Sequence, residues 1–164
     1  MTASDLAAIL EVQRRSYRAA RGGVRGSWPE PQALDWDGLG RLFEELVYGV
    51  LATAREDGRA HAAPVAFSVA EGAFWVASVE GLRLRSLRAT PWASLVLLDG
   101  QRGERHRALT AEGPVVLHED EAFAAARRRL DAGWAERHGK PPDWAVAFLE
   151  LRPERVFSHE ELGA

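Results

Sequence analysis

The sequence predicts an α+β fold, mainly β, in which six antiparallel strands close into a barrel flanked by helices. Three observations carry that expectation. The apolar period changes from helical to alternating at Tyr48. Asp57-Gly58 stands between two apolar runs, the strongest short hairpin signal, because such a turn needs a positive φ that glycine adopts without strain. Short strand-like runs then recur with turn residues between them, the pattern of a closed sheet.

Residues 4–18 form an amphipathic helix: Leu6, Ile9, Leu10, Gln13 and Tyr17 share a face, and the stretch from Thr2 to Asp5 can cap it. Residues 21–31 are rich in glycine and proline and read as a loop. A second helix spans residues 37–47, with Leu39, Leu42, Phe43 and Leu46 as its stripe. The hairpin follows, with strands at 49–55 and 60–69 joined by Glu56-Asp57-Gly58-Arg59. A turn at Ala70-Glu71-Gly72 leads to a strand at 73–78. Residues 82–89 alternate Leu and Arg; a short helix fits better than a strand, because Leu84, Leu87 and Arg88 then share a face and Pro91 closes it. Strands follow at 92–98 and 105–117, the second bent at Gly113-Pro114. Glu119 or Asp120 opens a helix to His138, with Phe123, Ala126, Leu130 and Trp134 inward. Strands at 144–151 and 155–157, separated by Pro153, end the chain.

With 164 residues, 46% hydrophobic and 27% charged, the chain suits one domain with a packed core and an N-terminal helical extension over about residues 1–46. A net charge of −3 argues against general nucleic-acid binding. The absence of cysteine removes disulfides, thiolate nucleophiles and iron–sulfur clusters. The apolar run Leu6–Leu10 is too short for a signal-peptide core, and no stretch reaches the roughly 20 apolar residues of a membrane span. A cytoplasmic protein with no membrane partner is expected. Lys140 is the only lysine among 21 basic residues, so arginine supplies nearly all positive charge.

Nucleophile elbows, Walker loops and zinc-binding helices are missing from the sequence. The five histidines are scattered, which offers no metal site. His61, just after the hairpin turn, suits either a ligand or a barrel-rim residue. The segment from Ser78 to Leu87 holds more chemistry. It leaves a strand, turns at Gly81, and presents Arg83, Arg85 and the hydroxyls of Ser78 and Ser86 at a helix start, which is what phosphate binding requires. The same spacing also suits a solvated amphipathic turn. Arg14, Arg15, Arg18, Arg21 and Arg25 read as a solvated helix face and loop. The six tryptophans read chiefly as core or interface mass; Trp75 and Trp92 lie nearest the turn in sequence, where one of them could cover an aromatic cofactor.

Taken in order, these pieces resemble a known family. Leu51-Ala-Thr53-x-x-x-Asp57-Gly58-Arg59-x-His61-x-x-Pro64-Val65 is similar to the opening hairpin of the FMN-binding split barrels related to pyridoxamine 5′-phosphate oxidase. Phe74-Trp75-Val76-Ala77-Ser78, then Arg83-x-Arg85-Ser86-Leu87-x-x-x-Pro91-x-Ala93-Ser94-Leu95, resembles that family's third strand, phosphate turn and fourth strand, and Gly113 fits the fifth. The resemblance implies a six-stranded split β-barrel, a homodimer with cofactor sites at the subunit interface, and a small-molecule redox substrate. It places the flavin ring along Ala63, Pro64, Val65, Ala66 and Phe67, and the phosphate on Ser78, Arg83 and, secondarily, Arg85. Arg83 stands where the family usually has lysine. The chain departs from the true oxidase before Gly113, where Arg107-Ala-Leu-Thr-Ala-Glu112 replaces a Gln- and Arg-bearing run. It departs again at the C-terminus, which lacks an Arg-Leu-x-Pro-type motif. The expected activity is therefore that of an FMN-dependent oxidoreductase other than pyridoxamine phosphate oxidase. A deazaflavin-dependent reductase and a non-catalytic flavin- or haem-binding stress protein are the alternatives.

Overall fold

A computed structural model describes residues 1–100 and 106–161. The N-terminal helix α1 (Ala3–Ala19) starts with a capping box: Thr2 Oγ1 accepts from Asp5 N, while the Asp5 carboxylate accepts from Thr2 N at 2.7 Å. The region expected to be a loop instead contains α2 (Gly22–Ser27) and a single 3-10 turn, Glu30–Gln32. Neither buries a residue of its own; Trp28, just beyond α2, packs on Phe157 and His159 and holds the segment to the sheet. Helix α3 (Trp36–Glu45) is capped by Asp35, whose carboxylate accepts from Gly38 N at 2.8 Å, and it buries Leu39, Leu42 and Phe43.

The strands are β1 (Tyr48–Ala54), β2 (Ala60–Ala66), β3 (Ser68–Ala70), β4 (Ala73–Ser78), β5 (Trp92–Asp99), β6 (His106–His118), β7 (Ala147–Leu151) and β8 (Arg155–Glu161). Helices α4 (Leu82–Ala89) and α5 (Asp120–His138) interrupt them. The strands form one antiparallel sheet in the order β2-β1-β5-β6-β7-β4-β3, with β8 also on β6. The sheet curls into a half-barrel with flanking helices, as expected, but it has eight strands rather than six. One addition comes from Phe67, which breaks the expected 60–69 strand in two. Its carbonyl accepts from Arg137 Nε at 2.9 Å and from His138 Nε2 at 3.0 Å, so the end of α5 pins the bend. The strand expected at 155–157 is longer than expected: β8 runs past Phe157 and pairs with β6 along Arg155–Glu161. The expected start of the fifth strand, Arg105, lies outside the described residues. The seventh strand starts at Ala147; Trp144 belongs to the turn before it.

Strand β6 is the corner of the barrel. Its N-terminal part pairs with β5 and β8, and beyond Gly113-Pro114 it pairs with β7. The β7–β8 turn crosses it there: Arg152 N donates to Pro114 O at 3.0 Å, and Glu154 N to Glu112 O at 2.8 Å. A methyl group on Gly113 would lie 2.0 Å from Arg152 O, so only glycine permits the crossing.

The main core lies inside the curl, built on Ile9, Leu39, Phe43, Leu51, Phe74, Leu95, Leu109 and Leu149. A second core between β4, β7 and α5 holds Trp75, Phe148, Leu130 and Trp134. Buried polar groups tie α1 to β8: Tyr17 Oη donates to Ser158 O, Ser158 Oγ to Gln13 Oε1 at 2.6 Å, and Val156 N to Ser16 Oγ at 2.9 Å. No helix among the described residues is long and apolar enough to cross a membrane.

Two buried carboxylates make the fold acid-sensitive. Burial opposes the charged form of Asp5, but bonds from Thr2 and from Gly72 N, at 3.1 Å, outweigh it and hold the pKa below the ordinary 3.8. Burial likewise opposes the charge on Glu150, and bonds from Arg152 and His118 outweigh it, keeping the pKa below 4.5. A folded-state pKa below the unfolded one gives stability that is present at neutral pH and lost as pH falls. The melting temperature should therefore hold down to about pH 5 and drop below about pH 4, and Asp5→Asn with Glu150→Gln should flatten that acid limb. An acid limb identical in parent and double variant would contradict this.

Candidate cofactor site

The residues singled out between Ser78 and Ser86 come together where β4 ends and α4 begins. Leu84, Ser86 and Leu87 are buried and anchor α4, whereas Arg85 and Arg88 are exposed, which explains the Leu/Arg alternation. Gly81 precedes α4 and supplies no side-chain cap, so the first-turn amides of the helix have no side-chain partner. Ser78 is buried at the end of β4, and Arg83 Nη1 lies 3.4 Å from its Oγ. Arg83 is half-buried and forms no ion pair among the described residues. Burial lowers its pKa from the usual guanidinium value without a carboxylate to offset the cost.

Three of the surrounding carboxylates are already engaged. Arg88 holds Glu80 at 2.7 Å and Glu119 at 2.5 Å, and Arg59 holds Asp57 at 2.6 Å. A cleft of about 470 Å³ opens beside them, lined by Arg55, Glu56, Asp57, Leu82, Arg85 and Ser86. Buried side-chain atoms without a partner gather around this end of the barrel: Thr53 Oγ1, Arg55 Nε, His61 Nδ1, Arg83 Nε and Ser86 Oγ. Such atoms are rare in folded proteins because each loses its water without replacement, so a cluster marks a place where a ligand or water completes the bonding. Thr53 and His61 face each other across the β1–β2 hairpin. Thr53 and Arg55 were missed in the sequence; the strand register that puts Thr53 opposite His61 was the available signal.

Strand β2 is an edge of the sheet, so its outer side has no strand partner among the described residues. Phe67 N donates to Val47 O and Arg55 N to Arg59 O. Antiparallel alternation then turns the backbone of Ala63 and Val65 toward β1, and that of Ala62, Pro64 and Ala66 toward the open edge. Phe67 is wholly buried, with its carbonyl engaged by α5. Trp75 does not cover this region: it is 0% exposed in the second core, with its indole N–H donating to Ala70 O at 2.9 Å. Trp92 is half-exposed on the outer sheet face. Trp144 is also half-exposed, two residues before Val146, whose N donates to Ser78 O at 2.9 Å.

A half-barrel whose sheet turns a corner at β6, with α4 following β4 at its end, is the architecture of a split-barrel protein. The chain belongs to the pyridoxamine 5′-phosphate oxidase family, whose sequence pattern it matches over residues 39–160. No curated protein sequence matches it. Among solved structures it is similar to a conserved hypothetical protein from Mycobacterium tuberculosis, with 19% identity, TM-score 0.68, and 80% of this chain and 88% of that one covered. It is similar to an FAD-binding protein from Mesorhizobium loti, with 16% identity, TM-score 0.61, and 79% and 97% covered. An F420 reductase gives 21% identity, TM-score 0.55, and 71% and 93% covered. At these identities the likeness concerns the fold.

Proposed function

We propose that the protein is a flavin-type oxidoreductase, with FMN or a deazaflavin bound at the start of α4. The observation that carries this is Arg83, a half-buried guanidinium set against Ser78 with no carboxylate partner among the described residues. A phosphate fits that position chemically: Arg83 offers charge, Ser86 offers a hydroxyl without a partner, and the uncapped first turn of α4 offers amides, while the Ser78 hydroxyl donates to Val79 O at 3.1 Å and receives Arg83. The ring would lie along the open edge of β2, where Pro64 offers a carbonyl and Ala66 both backbone groups. Ala63, Val65 and Phe67 would shape that wall from within. The bound cofactor supplies the hydride or electron transfer. The chain holds the phosphate, orients the ring with backbone groups and keeps an apolar wall beside it.

A homodimer completes this proposal. Tyr48, Val50 and Leu98 are exposed on the outer sheet face, where Val50 pairs with Pro64 on one side and Val96 on the other. An apolar face of this kind marks an interaction surface, and a second copy would cover it and close the cleft. The substrate in this proposal is not pyridoxamine phosphate, since Arg107-Ala-Leu-Thr-Ala-Glu112 stands where the true oxidase has a Gln- and Arg-bearing run.

The test is the purified protein itself. It should carry a small molecule identifiable by mass spectrometry as a flavin or deazaflavin, absorb in the corresponding visible bands, and scatter light as a dimer. A colourless monomer indifferent to added FMN would overturn the proposal, and a Soret band would assign haem instead.

A further inference from the structure

A second cavity, of about 510 Å³, lies along the C-terminal half of α5, where that helix faces β3, the end of α3 and the start of α1. It shares no lining residue with the cleft beside α4. We propose that this cavity binds a small monocarboxylic acid with an apolar body, its carboxylate held by Arg137 and Ser68 and its body against Trp134 and Leu130.

Ser68 supplies the first observation. It lines the cavity at 8% exposure, and its Oγ is buried without a hydrogen-bond partner. Its cross-strand partner is Trp75, so its side chain leaves β3 on the face that α5 covers. A hydroxyl that has lost water without replacement marks a place where a ligand or water completes the bonding. Arg137 supplies the second. Its Nε donates to Phe67 O and its Nη2 to Leu46 O, which fixes the guanidinium on the wall and leaves Nη1 without a partner among the described residues. The group is half-buried, and burial lowers its pKa with no carboxylate to offset the cost. The other charges on the wall are engaged or solvated. Asp5 accepts from Thr2 N and Gly72 N, Arg129 holds Glu71 at 3.2 Å, and Glu44 and Glu136 are exposed. One uncompensated guanidinium matches one ionised carboxylate, while the two exposed glutamates disfavour a ligand of higher negative charge. The apolar body follows from the rest of the lining, where Phe43, Val69, Leu130 and Trp134 are all buried. A largely apolar wall with a few convergent polar groups, in a volume within about 300–1,000 Å³, is the usual form of a small-molecule site.

The experiment titrates phenylacetate, its neutral isostere phenylacetamide, and benzyl phosphate into the full chain as purified, followed by calorimetry. Phenylacetate should bind saturably, with phenylacetamide at least about tenfold weaker, the effect of losing one charge-assisted contact. Benzyl phosphate should bind no better than phenylacetate. Arg137 is a poor probe by mutation because it also pins Phe67 and Leu46. Gly133→Phe instead puts a ring into the cavity from α5, where an added Cβ meets nothing within 4 Å. It should weaken phenylacetate at least tenfold without lowering the melting temperature. Ser68→Ala should weaken it about threefold or more and melt no lower than the parent, since the hydroxyl removed has no partner. Arg83→Ala should bind phenylacetate like the parent, which separates this site from the cofactor site. Absence of saturable binding at millimolar phenylacetate would overturn the inference, as would equal affinity for phenylacetamide. Binding that survives both Gly133→Phe and Ser68→Ala, or that falls with Arg83→Ala, would place the acid elsewhere and overturn it as well.

Discussion

Gly113→Ala should lower the melting temperature by roughly 6–12 °C, the largest stability loss expected from any single methyl added to this chain. The new Cβ would sit 2.0 Å from Arg152 O and 3.0 Å from Glu154 N, both backbone atoms of the turn crossing β6. A side chain could swing away, but this backbone is fixed by the bonds from Arg152 N to Pro114 O and from Glu154 N to Glu112 O. Relief therefore requires breaking the corner where β6 changes partners. Overpacking costs about 1–3 kcal/mol where neighbours can shift, and the upper end or beyond is expected here. At this chain length each kcal/mol moves the midpoint by about 2–4 °C. Gly133→Ala is the control, since nothing lies within 4 Å of its Cβ on the exposed side of α5. It should stabilise by about 0.5–1 kcal/mol through helix propensity. Equal midpoints for the two variants in thermal melts would contradict the crossing.

Elements set by local chemistry were legible in the sequence. The Asp57-Gly58 turn forms as expected, with Gly58 at φ 81° and Asp57 Oδ1 accepting from Arg59 N at 3.0 Å. The Leu/Arg alternation of residues 82–89 resolves into α4 for the reason given by its spacing, a buried Leu84–Leu87 face. Features set by distant partners were not legible. The break at Phe67 depends on Arg137 and His138, about 70 positions along the chain, and the length of β8 depends on its pairing with β6 and its ties to α1. Trp75 looked close to the phosphate turn in sequence, yet strand alternation sends it to the opposite face of the sheet. The candidate site divides the same way. Ser78, Arg83 and Arg85 stood out because one short segment contains them. Thr53 and Arg55 enter only through the hairpin register and the packing of α4 over β1.

Arg83→Ala should weaken binding of a flavin-type cofactor by about ten- to a hundredfold and leave the empty fold almost untouched. A charge-assisted hydrogen bond to phosphate is worth roughly 1.5–3 kcal/mol, which converts to that range of affinity. Arg83 touches Ser78 and makes no ion pair among the described residues, so its loss removes no salt bridge among them. Because its guanidinium is half-buried without a carboxylate, truncation also relieves a desolvation cost, and the empty variant should melt within a few degrees of the parent. Arg85→Ala, exposed and one turn edge away, should reduce FMN affinity less. The direct measurement is a titration of FMN into the cofactor-free parent, Arg83→Ala and Arg85→Ala, with melts of each without ligand. The account predicts a large affinity loss at Arg83, a small one at Arg85, and similar melting of all three. Equal affinities would place the phosphate elsewhere, and a collapse of the ligand-free Arg83→Ala melt would make Arg83 a structural residue instead.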